Sequence, residues 1–446
     1  MTGVRRRNVM KLAGAAGLAT ALAPAARASA RTADTTWYSS IQGPPTPTMT
    51  SFDNTMLGFM EQRGITCGSL AVTDQGRLVK ATGYTVNPNW QPVAPDLVQP
   101  TTLFRIASIS KPITATAINR LAQEGRLNLD TPIGSLVDLT PPTGQTAPDK
   151  IGEATVRRVL QHRGGWGDPS VTHFDPMFAD RAIATFFGTP LPVTQRQIIK
   201  YNSGRALASD PGTTFAYSNY GYLLLGRVIE AVTGMAYAAY VQQAVLGPTG
   251  ITRMKLGHSL DQAPHYVNTE AVYNTSLEPT PTVLEDSSEE RPAYVRWPYG
   301  GFNLENMDSH GGWLASAVDL VRFASIFDLP VKPAGVLNQT SVTATFAPPD
   351  SANTSDPYYG YGWFVRQATG GVGYNSWHNG SLPGTWTWLV RCFNGRSWAA
   401  LFNQRDDHLH PESETYADID QALWNAAAAV TSWPTGDLYP QFFPAA

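Results

Sequence analysis

Apolar and polar residues alternate differently at the two ends of the chain than in its middle. Near the start, CGSLAVTDQGRLVKATGYT (67–85) contains two β-rich runs separated by Asp74-Gln75-Gly76, which predicts a hairpin. Strand patterns return in GYGWFVRQ (360–367), TWTWLVRCF (385–393) and SWAALFNQ (397–404). Between about 104 and 345 the apolar positions have mainly helical spacing.

The order of these patterns predicts the fold class. Helical stretches are expected at 51–63, 112–125, 154–161, 195–202, 216–233, 236–245, 315–327 and 417–431. Strands at both ends with helices between them predict an α+β fold, with a central antiparallel sheet built from both chain ends and an all-helical sub-domain. The main domain, residues 51–435, then divides into a sheet lobe (about 51–105 and 350–435) and a helical lobe (about 106–349), with a site between them.

The N-terminus has the pattern of an export signal. Residues 1–30 contain an arginine cluster, a mildly apolar stretch and Ala28-Ser29-Ala30, in the order of a signal peptide. Arg6-Arg7 is typical of the twin-arginine type. A membrane anchor is less favoured because the apolar run is short and is broken by Pro24. We therefore expect a secreted or extracytoplasmic protein without stable membrane insertion after cleavage, and a proline-rich linker at 31–50.

Composition narrows the possible partners. Of the 446 residues 42% are hydrophobic and 11% aromatic, which is enough for a substantial core. The formal net charge of −3 shows no basic surplus, so no nucleic-acid partner is expected. The two cysteines, Cys67 and Cys392, could form one bridge or remain as small buried hydrophobes, and the sequence leaves both possibilities open.

Candidate chemistry begins in TLFRIASISKPITATAINRLAQEG (102–125). Pro112 is tolerated only in the first turn of a helix, so the helix should begin at about Ser108–Lys111. Ser108 would then lie at the positive end of the helix, where its own N–H can bind an anion. Lys111, three residues later, lies on the same face, and an amine in apolar surroundings could accept the serine proton. A helix cap with a solvated lysine is the alternative.

Two further motifs extend this pattern. Tyr217-Ser218-Asn219 precedes a long amphipathic helix, and a phenol there could relay protons if nearby cations lower its pKa well below about 10. Asn219 offers a donor and an acceptor for an acyl chain. His378-Asn379-Gly380 ends a strand pattern, where Gly380 would let a substrate backbone approach closely. The Ser381 N–H could be a second oxyanion donor beside that of Ser108.

Together, Ser108-x-x-Lys111, Tyr217-x-Asn219 and His378-x-Gly380 resemble the penicillin-recognising serine hydrolases. This group includes class C β-lactamases, D-alanyl-D-alanine carboxypeptidases, D-aminopeptidases and family VIII carboxylesterases. The resemblance covers about residues 52–430 and implies a β-lactamase/transpeptidase-like fold, acylation of Ser108, and no metal or cofactor. It also implies that Lys111 and Tyr217 move the proton, and that Asn219, His378, Gly380 and Ser381 bind substrate.

One departure from the family pattern bears on the substrate. True β-lactamases of this group usually have lysine at the position of His378, so a permanent cation is replaced by a group mostly neutral at pH 7. We therefore expect an ester, or an amide or peptide containing a D-amino acid, rather than a β-lactam. A β-lactamase of the same family and a transacylase are the alternatives, and the transacylase would share every motif. A catalytically poor penicillin-binding sensor would not need Lys111 and Tyr217.

Three other stretches are predicted to be structural or solvated. HRGG (162–165) stands where the family has HTSG, and is expected to be a structural loop. SHGGWLASAVDLVRF (309–323) is expected to be packing at a helix entry. DDHLHPE (406–412) is a weak candidate for a metal site and is predicted to be a solvated turn.

Overall fold

The computed structural model describes residues 37–88, 97–167, 175–259, 269–285, 293–328, 335–350, 357–368, 371, 373–407 and 415–443. The predicted signal peptide lies outside these residues. The strands are β1 Tyr38–Gln42, β2 Cys67–Asp74, β3 Arg77–Asn87, β4 Phe104–Arg105, β5 Lys255–Leu256, β6 Thr280–Pro281, β7 Tyr294–Val295, β8 Trp313–Ala315, β9 Tyr358–Tyr359, β10 Phe364–Gln367, β11 Tyr374–Leu382, β12 Thr385–Arg391 and β13 Arg396–Phe402.

Eight of these strands form one antiparallel sheet, in the order β1-β3-β2-β13-β12-β11-β10-β9. Its N-terminal and C-terminal parts meet where β2 pairs with β13, with Gly68 opposite Phe402 and Asp74 opposite Arg396. The predicted central sheet built from both chain ends is therefore confirmed. The β2–β3 hairpin closes at Gln75 and Gly76, whose φ angles of 51° and 76° are those of a tight hairpin turn.

The helices are α1 Thr50–Arg63, α2 Ser110–Gln123, α3 Val156–Leu160, α4 Asp180–Phe187, α5 Gln195–Ser203, α6 Asn219–Thr233, α7 Tyr237–Val241, α8 Ala317–Ala324, α9 Gln339–Thr345, α10 Asp418–Ala428 and α11 Tyr439–Phe442. Helices α1 and α10 pack on one face of the sheet, and α2, α6 and α8 belong to the core on the other. Side chains of β2 alternate between these cores. Leu70 and Val72 face the core that contains α1 and α10, and Ala71 faces the core that contains α2, α6 and α8. Both faces are thus covered, which explains why every residue of β2 is buried.

The structure differs from the sequence-based expectations in two places. Part of the expected linker forms β1, which pairs with β3 and so extends the sheet by one edge strand. The segment 106–349 is mainly helical but also holds small strands, because β8 pairs with β4 and β5, and β6 with β7. The helix predicted over 315–327 accordingly begins as strand β8. Ser316 then starts α8 in a capping box with Asp319.

The two cysteines are buried and are not joined by a disulfide. Cys67 begins β2, whereas the Cys392 N–H bonds to the carbonyl of Arg396, which lies opposite the far end of β2. They therefore lie at opposite ends of the sheet strands and cannot reach each other. Within the described ranges, no single helix is long and apolar enough to span a membrane. One pair of helical segments there, 219–233 and 237–249, reaches the required length and apolar composition when taken together, but it is bent by 77°.

Candidate active site

Ser108 lies in a 3-10 turn, Ala107–Ile109, immediately before α2. The helix thus begins two residues after the serine, within the predicted interval. Ala107 has a φ of +46°, a left-handed conformation that is unfavourable for a residue with a side chain. The turn is held against the sheet, because the Thr387 hydroxyl donates to the Ile106 carbonyl at 3.0 Å.

Gly380 of β11 is required by this contact. A Cβ atom at position 380 would lie 2.1 Å from the Ile106 carbonyl oxygen and 2.3 Å from the Thr387 hydroxyl oxygen. Gly380 therefore acts by letting the turn that carries Ser108 approach the sheet.

Lys111 is fully buried, and its Nζ has three polar neighbours. The Ser108 Oγ lies at 3.0 Å, the Asn219 Oδ1 at 2.7 Å and the His310 carbonyl oxygen at 3.0 Å. The amide and carbonyl oxygens can only accept hydrogen bonds. A neutral amine would use its two N–H groups on these oxygens, which leaves its lone pair for the Ser108 hydroxyl.

The environment of Lys111 favours this neutral form. Burial holds the pKa of the amine well below its usual range, although the Asp175 carboxylate acts in the opposite direction. Burial, reinforced by Lys111, likewise holds the pKa of His162 and His310 well below the usual range. The lowered pKa that the apolar sequence context predicted is therefore present, and it is what a base working near neutral pH requires.

Tyr217 joins the serine and the lysine. Its phenol interacts with the Ser108 side chain, and the Lys111 Nζ lies 4.7 Å from the centre of its ring. Burial raises the pKa of the phenol above its usual value, and the Asp175 carboxylate adds to this, while Ser108 opposes it. The expectation that cations would lower this pKa is therefore wrong, because burial outweighs them.

Asn219, the first residue of α6, has protein partners at both ends of its amide. Its Oδ1 accepts from Lys111, and its Nδ2 donates to the Asp175 Oδ2 at 2.5 Å. Ser218, the N-cap of α6, accepts from the Gly221 N–H and so fixes the start of the helix. The side chain expected to hold an acyl chain thus links the buried amine to a carboxylate.

His378 lies in β11 and is buried. Its Nδ1 is 2.7 Å from the Asn379 carbonyl, so Nδ1 carries the proton and Nε2 accepts from the Tyr359 hydroxyl at 2.9 Å. Burial, with a contribution from Lys111, lowers the pKa of His378 to about 3, against a small opposing effect of the Asn379 bond. His378 is therefore neutral at pH 7, as expected from its replacement of lysine.

A cation does lie beside the third motif, at a position that the motif did not indicate. Arg405, just beyond β13, points its Nη1 at the Ser381 Oγ, 3.5 Å away. Its Nε donates at 2.8 Å to Asp407, whose other oxygen accepts from the Thr275 hydroxyl. The Arg405 side chain is 27% exposed. Ser381 follows Gly380, which contacts the turn that carries Ser108. This partly exposed cation therefore lies beside the part of β11 that is next to the nucleophile.

Two loops predicted to be structural also contribute to the site. The imidazole of His162 accepts the Ser218 N–H at 3.1 Å, and its ring lies 4.2 Å from that of Tyr217. His162 has a left-handed φ of 55°. The carbonyl of His310, in the SHGGW loop, accepts from Lys111. In both loops a histidine next to glycines was the available sequence signal for a role in the site. The residues that each loop contacts could not be predicted from the sequence.

No group of three or more His, Cys, Asp or Glu side chains within the described ranges could hold a metal ion. His408 and His410 of the 406–412 stretch lie outside those ranges.

Comparisons with known proteins agree with this geometry. The Beta-lactamase family model matches residues 52–423. "Penicillin-binding protein 4*" of Bacillus subtilis (strain 168) is 26% identical over 329 residues, which are 73% of this chain and 64% of the relative, so the chain spans less than two thirds of that protein. A "Putative D-alanyl-D-alanine carboxypeptidase" of Escherichia coli (strain K12) is 31% identical over 155 residues, 34% of this chain and 33% of the relative.

Among solved structures, the D-amino acid amidase from Ochrobactrum anthropi SV3 in complex with D-phenylalanine is similar, with a TM-score of 0.58 and 20% identity. The match covers 85% of this chain and 98% of the amidase. At this identity the likeness concerns the fold, which is that of β-lactamases and transpeptidases. Because the family model spans most of the sequence, including the serine, lysine, tyrosine and histidine motifs described above, the chain belongs to the beta-lactamase family of serine hydrolases.

Proposed function

We propose that the protein is a hydrolase that works through an acyl-enzyme on Ser108. The observation that carries the proposal is the distance of 3.0 Å between the Ser108 Oγ and the buried Lys111 Nζ, whose two other neighbours are acceptors only. A serine hydroxyl needs such a base, because its alkoxide does not form at neutral pH unaided.

In the acylation step, the Ser108 Oγ bonds to the substrate carbonyl carbon while its proton passes to the Lys111 amine. The carbonyl oxygen becomes an oxyanion, for which the Ser108 and Ser381 N–H groups are the expected donors. The bond from carbon to the leaving nitrogen or oxygen then breaks, and the leaving group receives the proton through the neutral hydroxyl of Tyr217. In the second half-reaction the hydroxyl group of a water molecule bonds to the acyl carbon, and the water proton goes to the Ser108 Oγ. The bond between this carbon and the Ser108 Oγ breaks, which releases the acid and restores Ser108.

For the substrate we propose a peptide or amide that contains a D-amino acid, with an ester as the second candidate. The D-peptide is supported by Arg405, because a guanidinium beside Ser381 suits a carboxylate on the leaving group. The names of the carboxypeptidase and amidase relatives point the same way. The ester is favoured by neutral His378, since an ester needs no cation.

We further propose that residues 1–30 direct export and are removed, with a small-molecule ester, amide or peptide as the partner in the mature, extracytoplasmic form. The arginine cluster and Ala28-Ser29-Ala30 support this. Mass spectrometry of the protein recovered from culture medium should give a chain that starts after Ala30. An intact N-terminus on a cell-retained protein would contradict export.

The reaction can be tested with a panel of chromogenic short-chain esters, D-amino-acid amides, D-Ala-D-Ala peptides and a fluorescent penicillin. Turnover that Ser108→Ala abolishes supports the hydrolase, and the substrate with the highest kcat/KM identifies its class. Stable penicillin labelling without turnover of any substrate would instead indicate a binding protein. An amine or alcohol that captures the acyl group in place of water would indicate a transacylase. Absence of both labelling and turnover would refute the proposal.

A further inference from the structure

We propose that Asp175 is a positioning residue, which fixes the orientation of the Asn219 amide and thereby directs the lone pair of Lys111 toward Ser108. The inference rests on the proposed function, because it concerns how the same serine is activated. It adds a residue that none of the three motifs contains.

The first step is the orientation of the amide. The Asp175 Oδ2 lies 2.5 Å from the Asn219 Nδ2, and a carboxylate can only accept. The amide must therefore turn its NH₂ group to Asp175 and its oxygen to the other side. That oxygen is the atom found 2.7 Å from the Lys111 Nζ.

The second step is the effect of this orientation on the base. If the amide were rotated by half a turn, an Asn219 N–H would face the Lys111 amine. A neutral amine has one lone pair, and an approaching N–H would compete with the Ser108 hydroxyl for it. The orientation imposed by Asp175 removes that competitor, so the lone pair remains available 3.0 Å from the Ser108 Oγ.

The third step is the fixation of Asp175 itself. Its Oδ1 accepts from the Met177 N–H at 3.0 Å, where Asp175 caps the 3-10 turn of residues 176–178. The Pro176 and Met177 side chains are buried. One carboxylate oxygen is thus tied to a packed turn, and the other is aimed at Asn219.

Asp175 also differs in charge from the other groups around the amine. Lys111 is faced by His162, His310 and His378, whose low pKa values keep them neutral, and by the phenols of Tyr217 and Tyr222, whose pKa values burial raises. Asp175 is the carboxylate that acts on Lys111, and it favours the charged amine. Two substitutions probe these effects: Asp175→Asn removes the charge and leaves one oxygen, which can accept from either Asn219 or Met177 but not from both, whereas Asp175→Ala removes the charge and both acceptors.

The test uses the full chain and an alkyl fluorophosphonate probe, which reports serine activation without a known substrate. Its phosphorus bonds to the Ser108 Oγ, fluoride leaves, and the hydroxyl proton passes to Lys111. The second-order rate constant is measured from pH 5 to pH 9 for wild type, D175A, D175N, N219A, the D175A/N219A double variant and the control N338A. A rate constant, unlike the final amount of label, does not depend on the fraction of protein that is folded.

We expect D175A to react at least about tenfold more slowly than wild type, as for loss of general-base assistance. Because Asp175 acts through Asn219, the double variant should react no more slowly than N219A alone. The Asp175 carboxylate favours the charged form of Lys111, so its removal in D175N should lower the pKa of the amine. The acid limb of the pH profile should then move to lower pH. Asn338→Ala, which removes a comparable side-chain cap from α9, should leave the rate constant unchanged.

The outcomes distinguish this inference from the proposed function. A wild-type protein that does not react with the probe would refute the proposed function. If wild type reacts and D175A reacts equally fast, the inference is refuted while the hydrolase proposal stands. Losses that add fully in the double variant would also refute it, because they would show that Asp175 acts independently of Asn219.

Discussion

The contact between Gly380 and the turn that carries Ser108 makes a quantitative prediction for Gly380→Ala. The added Cβ would lie 2.1 Å from the Ile106 carbonyl oxygen, whereas an ordinary carbon–oxygen contact is about 3.3 Å. It would also lie 2.3 Å from the Thr387 hydroxyl, which holds Ile106 in place. Strand β11 and Ile106 must therefore separate by about 1 Å.

This displacement should affect activity more than folding. Ile106 lies two residues before Ser108, so the nucleophile moves with it relative to Lys111, which is anchored in α2 and by Asn219. A misplacement of about 1 Å costs about 100-fold in rate. Overpacking of this kind lowers the free energy of unfolding by about 1–3 kcal/mol, which a domain with several kcal/mol of stability can tolerate.

The assay combines fluorophosphonate labelling of Ser108 with urea denaturation followed by circular dichroism. Gly58→Ala is a matched control, because Gly58 lies within α1 and an added Cβ would meet nothing within 4 Å. The control should raise the free energy of unfolding by about 0.5–1 kcal/mol and leave the labelling rate constant unchanged. A Gly380→Ala variant that labels at the wild-type rate would refute the packing argument. It would show that the strand and the turn can separate without moving the nucleophile.

Three further variants test other parts of the molecule. Lys111→Met should slow labelling of Ser108 by about 10²- to 10⁴-fold, the usual contribution of a general base, and a loss below threefold would contradict Lys111 as the proton acceptor. Arg405→Gln should lower the ratio of kcat/KM for a D-peptide with a free carboxylate over its C-terminal amide by about tenfold or more. As a control, Arg77→Gln breaks a similar Arg–Asp pair at the other end of β2 and should leave this ratio unchanged. An unchanged ratio in Arg405→Gln would show that Arg405 does not bind the substrate carboxylate. Burial raises the pKa of Asp180 to about 7, so its stabilising contribution is present below the unfolded-state value near 4 and is lost as pH rises through 7. The unfolding free energy of wild type should thus fall between pH 5 and pH 8 relative to that of Asp180→Asn, and parallel profiles would contradict this reasoning.

The sequence was sufficient for the fold class because the information lies in local patterns. Strand alternation near 67–85 and 385–404, with helical spacing between them, limits the arrangement to a sheet that both ends must share. Local chemistry likewise predicted the proximity of Ser108 and Lys111, because one helical turn places them on one face. The edge strand β1 could not be predicted in this way, since a short polar segment becomes a strand only when a neighbour offers unpaired backbone groups.

The missed residues have in common that their roles come from contacts between distant parts of the chain. Asp175 is 44 positions from Asn219, Arg405 is 24 from Ser381, and His310 is 199 from Lys111. No periodicity relates such pairs. The raised pKa of Tyr217 has the same origin, because burial is a property of the assembled core.

The seam between β2 and β13 also governs when the molecule can acquire its reactive form. At this seam the Cys67 N–H is hydrogen-bonded to the Asn403 side chain, 336 positions later in the chain. The chain must therefore be synthesised to about residue 403 before β13 can be inserted between β2 and β12, and contacts over such separations form slowly. Until then the platform beneath the nucleophile is incomplete, so a newly made chain becomes competent only after β13 has docked.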